Sequence, residues 1–484
     1  MSVKLLYEIS VKGKKAYSLP PLDVPSIPIS QLLPDELQRK KIGLPQVSEP
    51  EIVRHFTNLA TENFGVDTGF YPLGSCTMKY NPKINEVTST LPGFINLHPM
   101  IPYLDYNLCQ GALEVIYNLS YLLCEITGMK KMTTQPYAGA HGELTGILLM
   151  AAYHKSKGNK RKYVIVPESA HGTNPASAAM GGFSVISVPV NGRGEMDIDK
   201  FKEKMSDEVA GIMMTVPSTL GVFENNVKEI IDIVHKYDAI AYYDGANLNA
   251  IPGKLKPGDA GFDVVHINLH KTFGTPHGGG GPGAGAVGVS DRLCDFLPVP
   301  LVARNSQGKY YLDFSAKKSI GQVASFYGNF GVLLKAYTYI IMLGKEGLID
   351  VAEKAVLNAN YIMKKLKGFF HLPFDRTCMH EAVFTAKNQL KNGVHATDVA
   401  KYLIDRGIHP PTVYFPLVVE EAIMIEPTET ESKQTLDNFI DVMIEISELA
   451  EKNPEVLKNS PVNTVISRPD ETKAAREIKL TCDI

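Results

Sequence analysis

Between residues 111 and 330 the chain alternates two kinds of apolar pattern. Residues 111–127 carry Leu113, Ile116, Tyr117, Leu119, Leu122 and Leu123, the three-to-four spacing of one helix face. A second helical run is predicted over 143–154. Short, largely apolar strand candidates then recur at 163–167, 185–190, 211–216, 240–243, 264–269 and 284–289. Runs of that length predict strands buried on both faces, and helical stretches such as 226–237 lie between several of them. Strands alternating with helices predict an α/β fold built on a mostly parallel sheet.

The flanks read differently. Residues 1–50 hold seven prolines, which excludes long helices and central strands there. This segment is expected to be an extended arm lying on a neighbour, and 65–103 is similarly rich in turns. After 330, helical runs at 331–345 and 350–367, followed by the pattern of 399–407, His409-Pro-Pro-Thr412 and 420–426, predict a smaller α/β domain. The expected division is a Pro-rich arm and turn-rich segment over 1–110, a large domain over 111–330, and a smaller C-terminal domain with its tail over 331–484.

Composition narrows the class. With 44% hydrophobic and 21% charged residues, the chain has the profile of a soluble enzyme. A net charge of -3 argues against electrostatic capture of nucleic acid. No apolar run approaches the ~18–20 residues of a membrane span, so no membrane partner is expected. The first residues include an early acid and no signal-peptide core, so a cytoplasmic location is expected. Cys76, Cys109, Cys124, Cys294, Cys378 and Cys482 show neither disulfide-framework nor zinc spacing, which suits a reducing compartment.

Candidate chemistry gathers where such sheets bind ligands, at the carboxyl ends of the strands. His171, Ser218, Asp244 and Lys271 all fall at or just past predicted strand ends. An acid at one strand end and a lysine at a later one are what pyridoxal phosphate requires, a counter-ion for the ring nitrogen and an amine for the aldehyde. A carboxylate at contact raises the ring-nitrogen pKa by roughly 1–3 units. Leu269 and Phe273 flank Lys271 and would desolvate its amine. Gly139 and Ala140, in a Gly-Ala-His-Gly turn expected just before a helix, offer backbone N–H groups to a phosphate. His270 and Thr272 flank the lysine and could reach that phosphate, and the glycines of 278–281 would let the chain pass close to the cofactor. His171 is the candidate to stack on the ring and carry protons. Thr219 or Ser218 could bond the ring hydroxyl or the substrate. Each motif alone has a plain structural alternative: a tight loop, a strand-end turn cap, a solvated lysine. His266, His270 and His277 are closely spaced, but no Cys or carboxylate in the sequence completes a ligand set, so no metal is expected.

Longer stretches carry a resemblance. Residues 71–79 (YPLGSCTMK), 170–177 (AHGTNPAS), 217–219 (PST), 244–247 (DGAN), 268–273 (NLHKTF), 276–283 (PHGGGGPG) and 468–476 (RPDETKAAR) are similar to motifs of the glycine cleavage system P-protein family. The resemblance implies a fold-type-I (aspartate-aminotransferase-like) pyridoxal-phosphate enzyme. The implied activity is that of glycine dehydrogenase (aminomethyl-transferring), a glycine decarboxylase. It implies Lys271 as the cofactor anchor and places Asp244, Ala246, His171, Gly139, Ala140, His270, Thr272 and Thr219 around the cofactor. Because the chain carries the lysine motif and is about half the length of single-chain members, it resembles the second subunit of the split form. The implied partners are a homologous subunit 1 in an α2β2-type assembly and a lipoyl H-protein that accepts the aminomethyl group. The T- and L-proteins of the system would be indirect partners. The rival readings are another fold-type-I enzyme, such as an aminotransferase or cysteine desulfurase, and a non-catalytic scaffold subunit.

Overall fold

The computed structural model describes residues 3–278 and 282–480. Gly279, Gly280 and Gly281 of the glycine run, and Cys482, lie outside the described residues. The chain divides into two compact units, Gly69–Ser460 and a second made of Met1–Thr68 with Pro461–Ile484.

The larger unit is organised by a seven-stranded sheet. Its strands are β1 (Lys131–Thr133), β2 (Tyr163–Pro167), β3 (Ser184–Val188), β4 (Val209–Thr215), β5 (Ile240–Gly245), β6 (Val264–Asn268) and β7 (Gly285–Val289). The spatial order is β1-β7-β6-β5-β4-β2-β3. The β6/β5, β5/β4, β4/β2 and β2/β3 pairs are parallel, while β7 runs antiparallel to both β1 and β6. Six of these strands fall where the apolar runs predict them. The seventh, β1, has three residues, too few for any periodicity to show.

Side-chain alternation sorts the core into two layers. Ile212, Met214, Ala241, Tyr243, Val265 and Ile267 pack on one side, with the helices Gln110–Thr127 and Val227–Lys236. Ala210, Ile240, Tyr242, Val264 and Val287 pack on the other, with Ile147, Leu149 and Met150 of the helix Gly139–Ser156. That helix begins four residues before the expected start, so the Gly-Ala-His-Gly stretch is its first turn rather than a loop before it. The glycines are tolerated inside the helix because the sheet lies so close. A Cβ on Gly142 would sit 3.3 Å from His266 Cβ, and one on Gly146 would sit 2.2 Å from Tyr242 Cε2.

A two-stranded hairpin, β8 (Leu301–Arg304) with β9 (Tyr310–Asp313), follows the large sheet. A three-stranded antiparallel sheet comes later in the chain, in the order β10 (Ala382–Thr385), β12 (Ala422–Ile425), β11 (Thr412–Val413). Its core is built with the helices Ala396–Asp405 and Lys433–Lys452 and includes Phe384, Leu403, Ile423 and Phe439. Helical structure over Phe330–Leu366 is broken at Gly344, which has φ 61° and ψ -168°. The two helical runs expected there are the two sides of that break.

The smaller unit has little regular structure. Two single-turn helices, Ile29–Gln31 and Asp35–Leu37, precede the helix Glu49–Thr61. Proline accounts for the irregularity, since it removes donors and fixes φ. Leu19, Leu22, Ile27, Leu32, Leu37 and Leu44 are all exposed. Among the described residues, no helix is long and apolar enough to cross a membrane.

Gly146→Ala tests the tight helix–sheet packing. The added methyl meets the buried Tyr242 ring, and overpacking of that kind costs about 1–3 kcal/mol. The urea midpoint should fall accordingly, whereas Gly192→Ala, at an exposed position where no described atom lies within 4 Å of an added Cβ, should leave it in place.

Candidate active site

Strand register places the acid. In the parallel β5/β6 pair, Asp244 lies directly beside His266, so both side chains leave the same face of the sheet. Asp244 Oδ2 accepts from Asn174 Nδ2 at 2.9 Å and from the Thr215 hydroxyl at 3.3 Å. Its Oδ1 accepts from the Ala246 N–H at 3.0 Å, and His266 Nε2 is 3.1 Å away. Burial alone would push this carboxyl up. His266, Asn174, the Ala246 N–H and Lys271 together outweigh it and hold the group below the usual carboxylate range. His266 is fixed in turn by its Nδ1 contact with Tyr242 Oη at 2.9 Å. The sequence shows no carboxylate to join His266, yet the fold brings Asp244 and Glu143 to it, with donor atoms within 4.8 Å of one another. Both carboxylates are already hydrogen-bonded, Glu143 by Thr173 and Ser177.

Lys271 is not on a strand. β6 ends at Asn268, and the lysine stands in a single helical turn, Leu269–Thr272. The Leu269 N–H still bonds the Ala284 carbonyl in the β6/β7 register, and the chain turns into the helical residues from there. Leu269 and Phe273 are fully buried on either side. Lys271 Nζ donates to the Ser75 carbonyl at 2.6 Å.

The other expected residues fall into two groups. Gly139 and Ala140 open their helix, whose first N–H groups have no intrahelical acceptor. A Cβ on Gly139 would lie 2.6 Å from Asn268 Nδ2, so the helix start and the end of β6 touch. His270 is buried, with Nδ1 near the Ala284 carbonyl and N–H. Burial, then Lys271 and His277, lowers its pKa to about 4, so the ring is neutral. His171 Nδ1 is 2.7 Å from the Thr173 hydroxyl, and its ring lies 5.4 Å from that of Phe415. Two expected hydroxyls are engaged elsewhere. Thr272 Oγ1 accepts from the Leu248 N–H at 2.9 Å, and Thr219 Oγ1 donates to the Ser169 carbonyl at 2.5 Å.

Residues the sequence reading does not single out complete the surroundings. Lys79 is fully buried and donates to the Thr272 carbonyl at 2.8 Å, to Glu429 Oε1 at 2.7 Å and to Tyr339 Oη at 3.2 Å. Burial works against its charge, but Glu429 and Tyr339 keep the ammonium above the ordinary lysine value. Glu381 and Glu426 are buried near Lys271, and burial raises both, to about 8 and about 7. Cys76 Sγ is 2.9 Å from His277 Nε2. Lys79, Ser75 and Cys76 lie in the 71–79 stretch that the resemblance marks, which is the one sequence signal pointing to them.

Pyridoxal phosphate suits this donor set. Asp244 is a buried, ionised acid hydrogen-bonded by Asn174, whose own Oδ1 is buried without a partner. Lys271 offers an amine bonded to a backbone carbonyl and lies close enough to act on Asp244. The helix start at Gly139 is shaped so that only hydrogen fits against Asn268.

Removing the carboxylate from the buried Lys79–Glu429 pair leaves an uncompensated charge, which costs about 3–5 kcal/mol. Glu429→Gln should therefore lower unfolding stability by that order. Combining it with Lys79→Met should recover most of the loss in a double-mutant cycle.

Comparison with known proteins agrees with this geometry. Residues 22–315 match the family model "Glycine cleavage system P-protein", and 351–469 match "Glycine dehydrogenase, C-terminal domain". The chain is 57% identical over 474 residues to a probable glycine dehydrogenase (decarboxylating) subunit 2 of Caldanaerobacter subterraneus, covering 98% of this chain and 97% of the relative. A protein of the same description from Listeria monocytogenes is 53% identical over 478 residues, covering 98% and 97%. Among solved structures, an inhibitor-bound glycine decarboxylase (P-protein) superposes with a TM-score of 0.71 at 21% identity, over 86% of this chain and 94% of that one. An Escherichia coli cysteine desulfurase gives 0.60 at 15%, over 80% and 95%, a likeness of fold. The sheet is thus that of fold-type-I pyridoxal-phosphate enzymes. The chain belongs to the glycine cleavage system P-protein family.

Proposed function

We propose that this chain is the cofactor-bearing subunit of a two-subunit glycine decarboxylase. It would release CO2 from glycine and pass the aminomethyl group to the lipoyl disulfide of an H-protein. The observation that carries this reading is the placement of Asp244 near the end of β5 within electrostatic range of Lys271, in the turn after the adjoining β6, in a chain alike over 98% of its length to a probable glycine dehydrogenase (decarboxylating) subunit 2.

When bound, pyridoxal phosphate supplies an electron sink for the pair left on the glycine carbon as CO2 departs. Lys271 would anchor it through Nζ. Asp244 would face the ring nitrogen, kept ionised by Asn174, the Ala246 N–H and His266. The N–H groups of Gly139 and Ala140 would receive the phosphate, with neutral His270 beside them. His171, steadied by Thr173, would lie over the ring and hold or move a proton at Nε2. Thr219 and Thr272 would act through the backbone they fix: Thr219 ties its loop to Ser169, and Thr272 ties the lysine turn to Leu248.

The subunit designation of the relatives supports a partner, which we take to be a homologous subunit 1 in an α2β2 assembly. The exposed apolar side chains of the Pro-rich arm suit a segment that covers such a neighbour. The T- and L-proteins would act downstream on the loaded H-protein, in the cytoplasm of a bacterial cell. A cysteine desulfurase reading meets a specific obstacle. Cys76 is within electrostatic range of Lys271, but burial pushes its thiol up, opposite to the lowered pKa of a sulfur-transfer nucleophile.

The assembled enzyme with H-protein should exchange labelled bicarbonate into glycine. Asp244→Asn removes an interaction of about 1.4–4 kcal/mol, so exchange should fall about 10- to 10³-fold. Transamination without exchange would overturn the reading.

A further inference from the structure

His141 stands in the first turn of the Gly139–Ser156 helix, and both of its ring nitrogens are spent on bonds outside that turn. The Tyr137 N–H lies 3.2 Å from Nδ1, and the Val323 carbonyl lies 3.0 Å from Nε2. A backbone N–H only donates and a carbonyl only accepts. Nδ1 is therefore the bare nitrogen, and Nε2 carries the hydrogen. One neutral ring thus ties the residue just ahead of the helix cap to a segment 182 positions further along the chain.

Neighbouring side chains repeat the tie. Gln135 is buried, its Oε1 accepts from the Val323 N–H at 3.1 Å, and its Nε2 donates to the Pro300 carbonyl at 3.1 Å. The Tyr137 hydroxyl donates to the Ser325 carbonyl at 2.7 Å. Both backbone groups of Val323 are thus held from the stretch that leads into the helix. Further on, Gly328 has φ 98°, and a Cβ there would lie 2.0 Å from the Thr134 carbonyl oxygen. Asn329 Nδ2 donates to the Gly283 carbonyl at 3.1 Å, just before β7. Residues 323–329 accordingly run along the His141 side of the helix start. The end of β6 lies against Gly139, where a Cβ would meet Asn268 at 2.6 Å. Positions two apart on a helix point about 200° apart, so these are opposite walls. Ala138 and Ala140 are nevertheless exposed, so the cradle is bounded on two sides and still open.

We propose that His141 is a positioning residue for the phosphate of pyridoxal phosphate, a role that rests on the phosphate cradle of the proposed function. Through its two ring nitrogens it fixes the helix start against 323–325, so that the Gly139 and Ala140 N–H groups are in place before the anion arrives. Donors held beforehand lose less freedom when the ligand binds. The role demands one acceptor and one donor at the end of a single side chain. Neutral histidine has both, and glutamine is the other side chain of comparable reach that does. Alanine has neither, and would release the Tyr137 N–H and the Val323 carbonyl together.

The test titrates the chain, assembled with its partner subunit, with two aldehydes and follows visible absorbance. Pyridoxal phosphate is one, and pyridoxal, the same ring and aldehyde without the phosphate, is the other. His141→Ala should weaken pyridoxal phosphate about 10-fold, the scale of two lost neutral hydrogen bonds, chiefly through faster release. Pyridoxal should bind that variant as it binds the parent. His141→Gln should restore the parent affinity, since its Oε1 can accept from Tyr137 and its Nε2 can donate to Val323. Tyr137→Phe removes only the tie to the Ser325 carbonyl, from an exposed residue. It should weaken pyridoxal phosphate about 3-fold, and it decides the matter if His141→Ala does not fold. Unchanged pyridoxal phosphate affinity in His141→Ala or Tyr137→Phe, an equal loss of both aldehydes, or a His141→Gln variant that behaves like His141→Ala would each overturn the role. A parent protein that binds pyridoxal phosphate no better than pyridoxal would overturn the cradle, and His141's role with it. A parent that prefers pyridoxal phosphate, with variants that do the same undiminished, removes His141 and leaves the cradle standing.

Discussion

A single buried ammonium holds the site together. Lys79 lies in the turn-rich stretch ahead of the large sheet, yet its three hydrogen bonds reach the lysine turn at Thr272, the long helix at Tyr339 and the segment after β12 at Glu429. Water is excluded from all of these contacts, so the charge persists only while Glu429 remains in place. Tyr339 Oη also bonds Glu429 Oε1 at 3.2 Å, which closes the triangle. The position of Lys271 therefore depends on an ion pair that itself takes no part in the chemistry. A neighbouring tie, from Leu248 N–H to the Thr272 hydroxyl, fixes the same turn from the β5 side.

The opposite wall of the site is set by sheet geometry. Parallel register puts Asp244 beside His266, and the close approach of the Gly139–Ser156 helix puts an added Cβ under 3.0 Å from its neighbours at 139 and 146 and leaves little space at 142. One packing constraint thus does two things. It buries the acid deeply enough that its hydrogen bonds decide its charge, and it brings a helix N-terminus to the same end of the sheet. The small sheet adds Glu381 and Glu426, buried acids within electrostatic range of Lys271.

Much of the sheet was legible in the sequence because a strand buried on both faces is apolar along most of its length, as 163–167 and 240–243 are. Asp244 and Lys271 were legible because each interrupts such a run with a charge at its end. The start of the Gly139 helix was not, since glycine weakens the helical pattern and the reason it is tolerated lies in β5 and β6. Lys79, Glu381, Glu426 and Glu429 were invisible as a group. Each is an ordinary charged residue in its own segment, and only tertiary folding removes the water that would have made it unremarkable. The engaged hydroxyls of Thr219 and Thr272 show the same limit, because spacing cannot say which backbone group a side chain will find first.

Two lysines, the buried Lys79 and the half-buried Lys271, stand at this site, and only one can anchor an aldehyde. The account assigns that role to Lys271, whose amine is bonded to a backbone carbonyl, and denies it to Lys79, whose amine is locked by Glu429. Borohydride reduction of the assembled enzyme with its cofactor, followed by peptide mapping, reads the choice directly. The account predicts a single pyridoxyl label on the peptide containing Lys271. A label on the Lys79 peptide, or none on either, would contradict it.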